Sequence, residues 1–195
     1  MEQGMIVLLN GTSSSGKTSI SNELINQKEI LFHHLSVDDF VKGFFNHTFT
    51  DIEPARELGQ EAIAQIMFGP LITTYYSTVK LFSEMGLNVI VDTVIDNDKW
   101  FNQCLELFAD QPVLFVGVIC SKEELIRREQ LRGDRNIGLA AAQFSTVYSM
   151  DEYDLKVHTE EMSPSECAGM ILDFIRSGKE YTVFKQLHKR DVSVS

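Results

Sequence analysis

Gly11-Thr12-Ser13-Ser14-Ser15-Gly16-Lys17-Thr18 is the densest concentration of chemistry in the chain, a complete G-x-x-x-x-G-K-[ST]. Its two glycines permit backbone angles and close approaches that other residues resist, so successive N–H groups can turn inward on a polyphosphate. A helix starting near Lys17 would add the positive end of its dipole. In this pattern Lys17 reaches the β- and γ-phosphates and the Thr18 hydroxyl is a ligand for Mg²⁺. The loop residues Gly11, Thr12, Ser13, Ser14, Ser15, Gly16, Lys17, Thr18 and Ser19 are therefore the candidate nucleotide-binding set, with ATP as the expected nucleotide.

Three further groups have the right types for phosphate chemistry. Asp92 ends the apolar run Val89-Ile90-Val91, where an acid beside such a loop holds Mg²⁺, usually through water; the alternative is a turn or cap residue. Asp38-Asp39 follows a second strand candidate. Asp38 is read as the base that accepts an attacking hydroxyl's proton, and Asp39 as a helix cap. Arg127, Arg128, Arg132 and Arg135 cluster across Gly133-Asp134. Arg127 is read as a solvated partner of nearby glutamates. Arg132 and Arg135 bracket a glycine and suit a lid of about 127–138 that meets charge developing in transfer. Asp96 and Asp98 are read as caps of the helix around Trp100.

The surrounding elements must bring these groups together. Met5–Leu9 is a short apolar run ended by Asn10-Gly11, as in a strand buried on both faces. Leu31–Val37, Leu87–Val91, Val113–Ile119 and the weaker Leu155–Thr159 are the other strand candidates. Helical spacing covers Thr18–Gln27, Trp100–Phe108, a Ser121-capped segment to Gly133, Gly138–Ser149, and a Ser163-Pro164 start running to Ile175. Between residues 40 and 86 two helical stretches are expected, separated at Gly69-Pro70, and this region is where an acceptor would bind. Phe40, Phe44, Phe45 and Phe49 within it suit either core or the lining of an acceptor cavity. The region from 178 to 195 is a polar tail, docked as a helix or frayed. Alternating strands and helices imply parallel β-α units with ligands at the carboxyl ends of the strands.

Composition narrows the function. With 195 residues, 44% of them apolar, the chain has room for one folded domain, placed here at 1–177. Seventeen basic against 28 acidic residues give a net charge of −11, which disfavours nucleic-acid and anionic-membrane partners. No basic leader and no run of ~20 apolar residues is present, and Cys104, Cys120 and Cys167 form no C-x-x-C pair, so a reducing cytoplasm is expected. The five histidines show no metal-ligand spacing. Oligomeric state stays open.

The sequence resembles the chloramphenicol phosphotransferase-like family of P-loop kinases. The carrying residues are Leu9-Asn10-Gly11 through Lys17, Val37-Asp38, Gly86 with Val89–Asp92, and Val116-Gly117-Val118 leading to Arg128-Glu129. Arg132-Gly133-Asp134-Arg135, Gly138, Ala141, Gln143, Tyr153-Asp154, Val157-His158-Thr159 and Ser165–Ala168 complete them. The resemblance implies a three-layer α/β P-loop kinase fold with a five-stranded parallel sheet flanked by helices. It also implies transfer of the ATP γ-phosphate to an alcohol on a small molecule. The family base matches Asp38, and its phosphate-binding arginines fall among Arg128, Arg132 and Arg135. Residues 40–68 differ from the family enzyme that phosphorylates chloramphenicol, Thr93 stands where that enzyme has an acid, and the tail after Ser177 is extra. A small-molecule kinase is thus the leading expectation. The alternatives are a non-catalytic nucleotide switch or NTPase, and a toxin-like kinase of a nucleotide-sugar.

Overall fold

The computed structural model describes residues 2–48, 60–132, 138–149 and 152–194, with the side chains at 44–48, 60–68, 132 and 191–194 outside that description. The strands are β1 (Ile6–Asn10), β2 (Phe32–Ser36), β3 (Asn88–Thr93), β4 (Val113–Ile119) and β5 (Leu155–His158). They form one parallel sheet in the order β2-β3-β1-β4-β5. β1 is central, which is why all five of its residues are buried and why its sequence shows no polar alternation.

The helices are α1 (Lys17–Asn26), α2 (Val37–Thr48), α3 (Gln60–Glu84), α4 (Asp98–Phe108), α5 (Lys122–Arg132), α6 (Leu139–Val147), α7 (Pro164–Arg176) and α8 (Val183–Val194). Successive β1 side chains point to opposite faces. Ile6 and Leu8 pack with Leu71, Tyr75 and Val79 of α3, with Cys104 and Phe108 of α4, and with Phe184 of α8. Val7 and Leu9 pack with Ile20 and Leu24 of α1 and with Cys167 and Ile171 of α7. The result is a sheet between two helical layers. Among the described residues no helix is long and apolar enough to cross a membrane.

Four local expectations are corrected. Val37 ends no strand: it begins α2, so Asp38 and Asp39 both lie in that helix's first turn, where the dipole favours acids. Asp39 is no cap and instead pairs with Lys42 at 3.5 Å. Gly69-Pro70 does not break the second helical region, because α3 runs through Pro70. Proline normally opposes a helix interior, but Leu71, Tyr75 and Val79 immediately beyond it are completely buried, so packing outweighs the breaker. The cap of α4 is Asn97, whose side chain accepts from the Trp100 N–H at 3.0 Å, and not Asp96 or Asp98.

The tail is a docked helix. Asp154 Oδ1 accepts the N–H groups of Thr182 and Val183 at 2.9 and 3.2 Å, capping α8, while its Oδ2 accepts from Phe115 N–H at 3.0 Å. Phe184 then inserts among Phe101, Phe108 and Phe115.

Register fixes what lies at the carboxyl edge of the sheet. Leu9 faces Asp92 across β1 and β3, and Ser36 faces Asp92 across β2 and β3. Asp92 therefore stands between the loop that leaves β1 and the turn that carries Asp38.

Candidate active site

The loop after β1 is built from small residues because its backbone leaves little choice. Ser14 has φ 61° and Gly16 has φ 99°, both in the left-handed region. A Cβ on Gly11 would lie 2.7 Å from the Val118 carbonyl oxygen, so that residue must be glycine for β1 and β4 to stay in register. Gly16 is also the N-cap of α1, and the first amides of that helix have no acceptors within it. A phosphate group supplies such acceptors.

Lys17 is buried beneath the loop. Its Nζ donates to the carbonyls of Gly11 and Thr12 at 2.9 and 2.8 Å and stands 3.9 Å from Asp92 Oδ1. Thr18 Oγ1 donates to Asp92 Oδ2 at 2.6 Å. Burial of Asp92 works against its charge, but the His34 imidazole, the Lys17 ammonium and the Thr18 hydroxyl outweigh that cost and hold the carboxyl below the usual range. Hydroxyl and carboxylate oxygens are hard donors of the kind Mg²⁺ prefers, so Thr18 and Asp92 fit that ion.

Asp38 is half-buried in the first turn of α2. Buried Tyr75 donates its hydroxyl to the carbonyl of Leu35, three residues before Asp38, at 2.8 Å. Burial pushes the Tyr75 phenol well above its ordinary value, and the charges of Asp92 and Asp38 add to the effect. Tyr75 thus stays a neutral donor. Phe40 meets Tyr75 edge-on with ring centroids 5.5 Å apart, as core. The side chains of Phe44 and Phe45, and Phe49 entirely, lie outside the described residues.

On the other side of the loop a cleft of about 320 Å³ is lined by Gly16, Thr18, Arg128, Thr159, Met162 and Pro164 among others. Arg128 is held from three directions. It donates to Glu124 at 2.8 Å, to Thr159 Oγ1 at 3.1 Å and to the Thr159 carbonyl at 2.6 Å. Thr159 Oγ1 in turn donates to the Ser15 carbonyl at 2.7 Å, so Arg128 and the loop share one anchor. Arg127 pairs with Glu124, as expected of a solvated face. Glu124 therefore only half-completes the expected capping box: its N–H bonds Ser121 Oγ at 3.3 Å, but its carboxylate goes to the arginines.

Arg132 ends α5 with its side chain outside the described residues, and Arg135 lies outside them altogether. What the structure does define is how that segment is tied off. Glu129 is almost fully buried, and its carboxylate accepts the N–H groups of Gly138 and Ala140 at 3.0 and 2.7 Å, capping α6. Sequence reasoning used Glu129 only as part of the family pattern and gave it no such role. It also passed over His34, whose Nε2 stands 3.8 Å from Asp92 Oδ2, because two adjacent histidines look like a flaw in a strand. The only available signal was strand alternation, which puts His34 on the face of Phe32.

A parallel sheet of this order with a G-x-x-x-x-G-K-[ST] loop leaving its central strand is a P-loop kinase fold. Solved structures agree on the architecture. The chain is similar to the Mycobacterium tuberculosis APS kinase solved with AMPPNP and APS (TM-score 0.64, 18% identity, covering 90% of this chain and 99% of that one). It is equally similar to the Acinetobacter baumannii shikimate kinase solved with shikimate (TM-score 0.64, 15% identity, 91% and 96%). More specifically, the chain belongs to the chloramphenicol phosphotransferase-like family, whose sequence model matches residues 4–176. Two proteins from strains of M. tuberculosis, provisionally named O-phosphotransferases, are each 29% identical to it over 99% of this chain and 92% of theirs. It is a kinase-like phosphotransferase by family and fold.

Proposed function

We propose that this protein is an ATP- and Mg²⁺-dependent kinase that phosphorylates a hydroxyl of a small molecule. The observation that carries the reading is the meeting of the Thr18 hydroxyl and the Asp92 carboxylate at 2.6 Å, with the Lys17 ammonium 3.9 Å from that carboxylate and half-buried Asp38 in the first turn of α2, just after the neighbouring strand.

In this reading the loop amides and Lys17 hold the phosphate chain, and Thr18 with Asp92 holds the metal. A Mg²⁺ ion held there would supply positive charge to offset that of the phosphates. Arg128 borders the cleft beside α1, where the rest of the nucleotide would lie against Met162 and Pro164. Asp38 orients the acceptor hydroxyl and takes its proton as the new O–P bond forms. The bond from the γ-phosphorus to the bridging oxygen breaks, and ADP carries that electron pair away. Arg132 and Arg135 are assigned to the migrating charge. The acceptor would enter from the side of α2 and α3.

The test is to incubate the protein with ATP, Mg²⁺ and a small-molecule extract and search by mass spectrometry for species that gain one phosphate. A phosphorylated alcohol, absent without Mg²⁺, is the expected product. Hydrolysis of ATP with no phosphorylated product would overturn the kinase reading in favour of a nucleotide switch.

A further inference from the structure

Gln143 sits on α6, well away in sequence from both the loop and Asp92, yet it touches the loop directly. Its side-chain oxygen accepts the Ser13 N–H at 3.0 Å. Its side-chain nitrogen reaches Asp96 Oδ2 at 3.4 Å. The orientation of the amide is settled by its partners, since a backbone N–H can only donate and a carboxylate only accept. Ser13 is buried within the loop. Asp96 leaves the end of β3 four residues after Asp92, and its other oxygen accepts from Asn97 Nδ2 at 3.1 Å.

The platform under Gln143 is itself fixed. Gly138 begins α6 with φ 96°, and the buried Glu129 carboxylate caps that helix through two N–H groups. One amide side chain therefore bridges the loop after β1 and the segment after β3 from a helix that is anchored independently of both. Asn10 makes a second link between the same two stretches, its Oδ1 accepting from Ile95 N–H at 3.2 Å.

We infer that Gln143 is a positioning residue for the phosphate-holding loop, and that Asp96 orients Gln143 for that task. The loop keeps its shape in part because the Ser13 N–H is tethered to Gln143. This inference rests on the kinase reading of the loop. It extends that reading by making nucleotide affinity depend on a pair of side chains that touch no nucleotide.

The experiment uses the full chain and AMPPNP with Mg²⁺, measured by titration calorimetry. Gln143→Met removes the acceptor of the Ser13 N–H. Gln143→Glu keeps an acceptor but sets a second negative charge against Asp96. Each should weaken AMPPNP binding by roughly three- to tenfold, the worth of one hydrogen bond. Asp96→Asn alone retains an acceptor for Gln143 and should change little. The double variant Asp96→Asn/Gln143→Glu reverses the polarity of the pair and should return affinity to within about twofold of wild type, because the pair and not either residue is the unit.

Thermal melting of each unliganded variant separates loss of fold from loss of positioning. Should Gln143→Met fail to fold, the single and double Glu variants still decide. Wild-type affinity in every variant, or a double variant no better than Gln143→Glu, overturns the inference while leaving the kinase reading intact. No AMPPNP binding by the wild-type chain removes the kinase reading, and this inference falls with it.

Discussion

Thr18 Oγ1 and Asp92 Oδ2 come within 2.6 Å of each other across 74 residues of sequence, one from the first turn of α1 and the other from the end of β3. The contact exists because the register of β1 against β3 sets Leu9 opposite Asp92, and the loop then returns α1 over that position. Neither side chain could be moved one residue without losing it. Thr18→Val keeps the shape and removes the hydroxyl. In the proposed reaction it should raise the Mg²⁺ concentration needed for half-maximal turnover by about tenfold or more, since one of two protein ligands is gone. An Mg²⁺ titration of ATP consumption checks this; an unshifted midpoint would count against Thr18 as a ligand.

In the proposed reaction Asp38 has a separable task. Replacing it with asparagine preserves shape and helix-start polarity but removes the proton acceptor. Phosphoryl transfer should drop by about a hundredfold or more, the usual worth of a positioned base. AMPPNP affinity should stay within about twofold, because in the proposed reaction the phosphates are held by the loop and Lys17, and not by the helix that carries Asp38. Affinity falling in step with turnover would show that Asp38 shapes the loop instead.

The Glu124 carboxyl is held at about 2 by its hydrogen bonds to Arg127 and Arg128. A lowered pKa favours the folded state above the ordinary glutamate value of 4.5, and that contribution disappears as pH falls from there through about 2. NMR titration of the folded protein should show a Glu124 midpoint near the lower value. In Arg128→Leu it should move upward, and AMPPNP affinity should fall because the cleft wall and the Thr159 anchor are lost together. An unmoved midpoint would mean Arg127 alone sets the charge.

Phe184 is 2% exposed and packs edge-on or tilted against three other rings, although it lies beyond the residues the family model matches. Phe184→Ala should cost about 3 kcal/mol of unfolding free energy, in the range for emptying a buried aromatic site. Urea unfolding followed by fluorescence measures it. A loss under about 1 kcal/mol would show that the α8 helix is an accessory and not part of the core.

Much of the site could be read directly from residue order. The phosphate loop is encoded by its own spacing, β1 by four consecutive apolar residues, and Asp92 by the β-branched run before it. Other features depend on contacts between distant segments. Val37 is β-branched and stands two residues after Leu35 in strand-like alternation, so nothing local shows that α2 starts there. Pro70 reads as a breaker until the burial of Tyr75 and Val79 is known. Glu129 and Gln143 belong to the pattern that carries the resemblance, but what they hold could not be read from it, because their partners lie on other segments. Asp96 resembles a cap because it precedes a helix, but Asn97 one residue later has the geometry. The arginines at 132 and 135 remain assigned by pattern and resemblance.

The cap that Asp154 places on α8 has a consequence for biosynthesis. Phe184 is translated after every other aromatic residue it packs against, so a nascent chain that has already exposed all five strands still lacks the ring that seals one face of the sheet. Until Phe184 clears the ribosomal tunnel, Phe101, Phe108 and Phe115 lack one of the rings that cover them. A chaperone that shields emerging chains would find its binding window there.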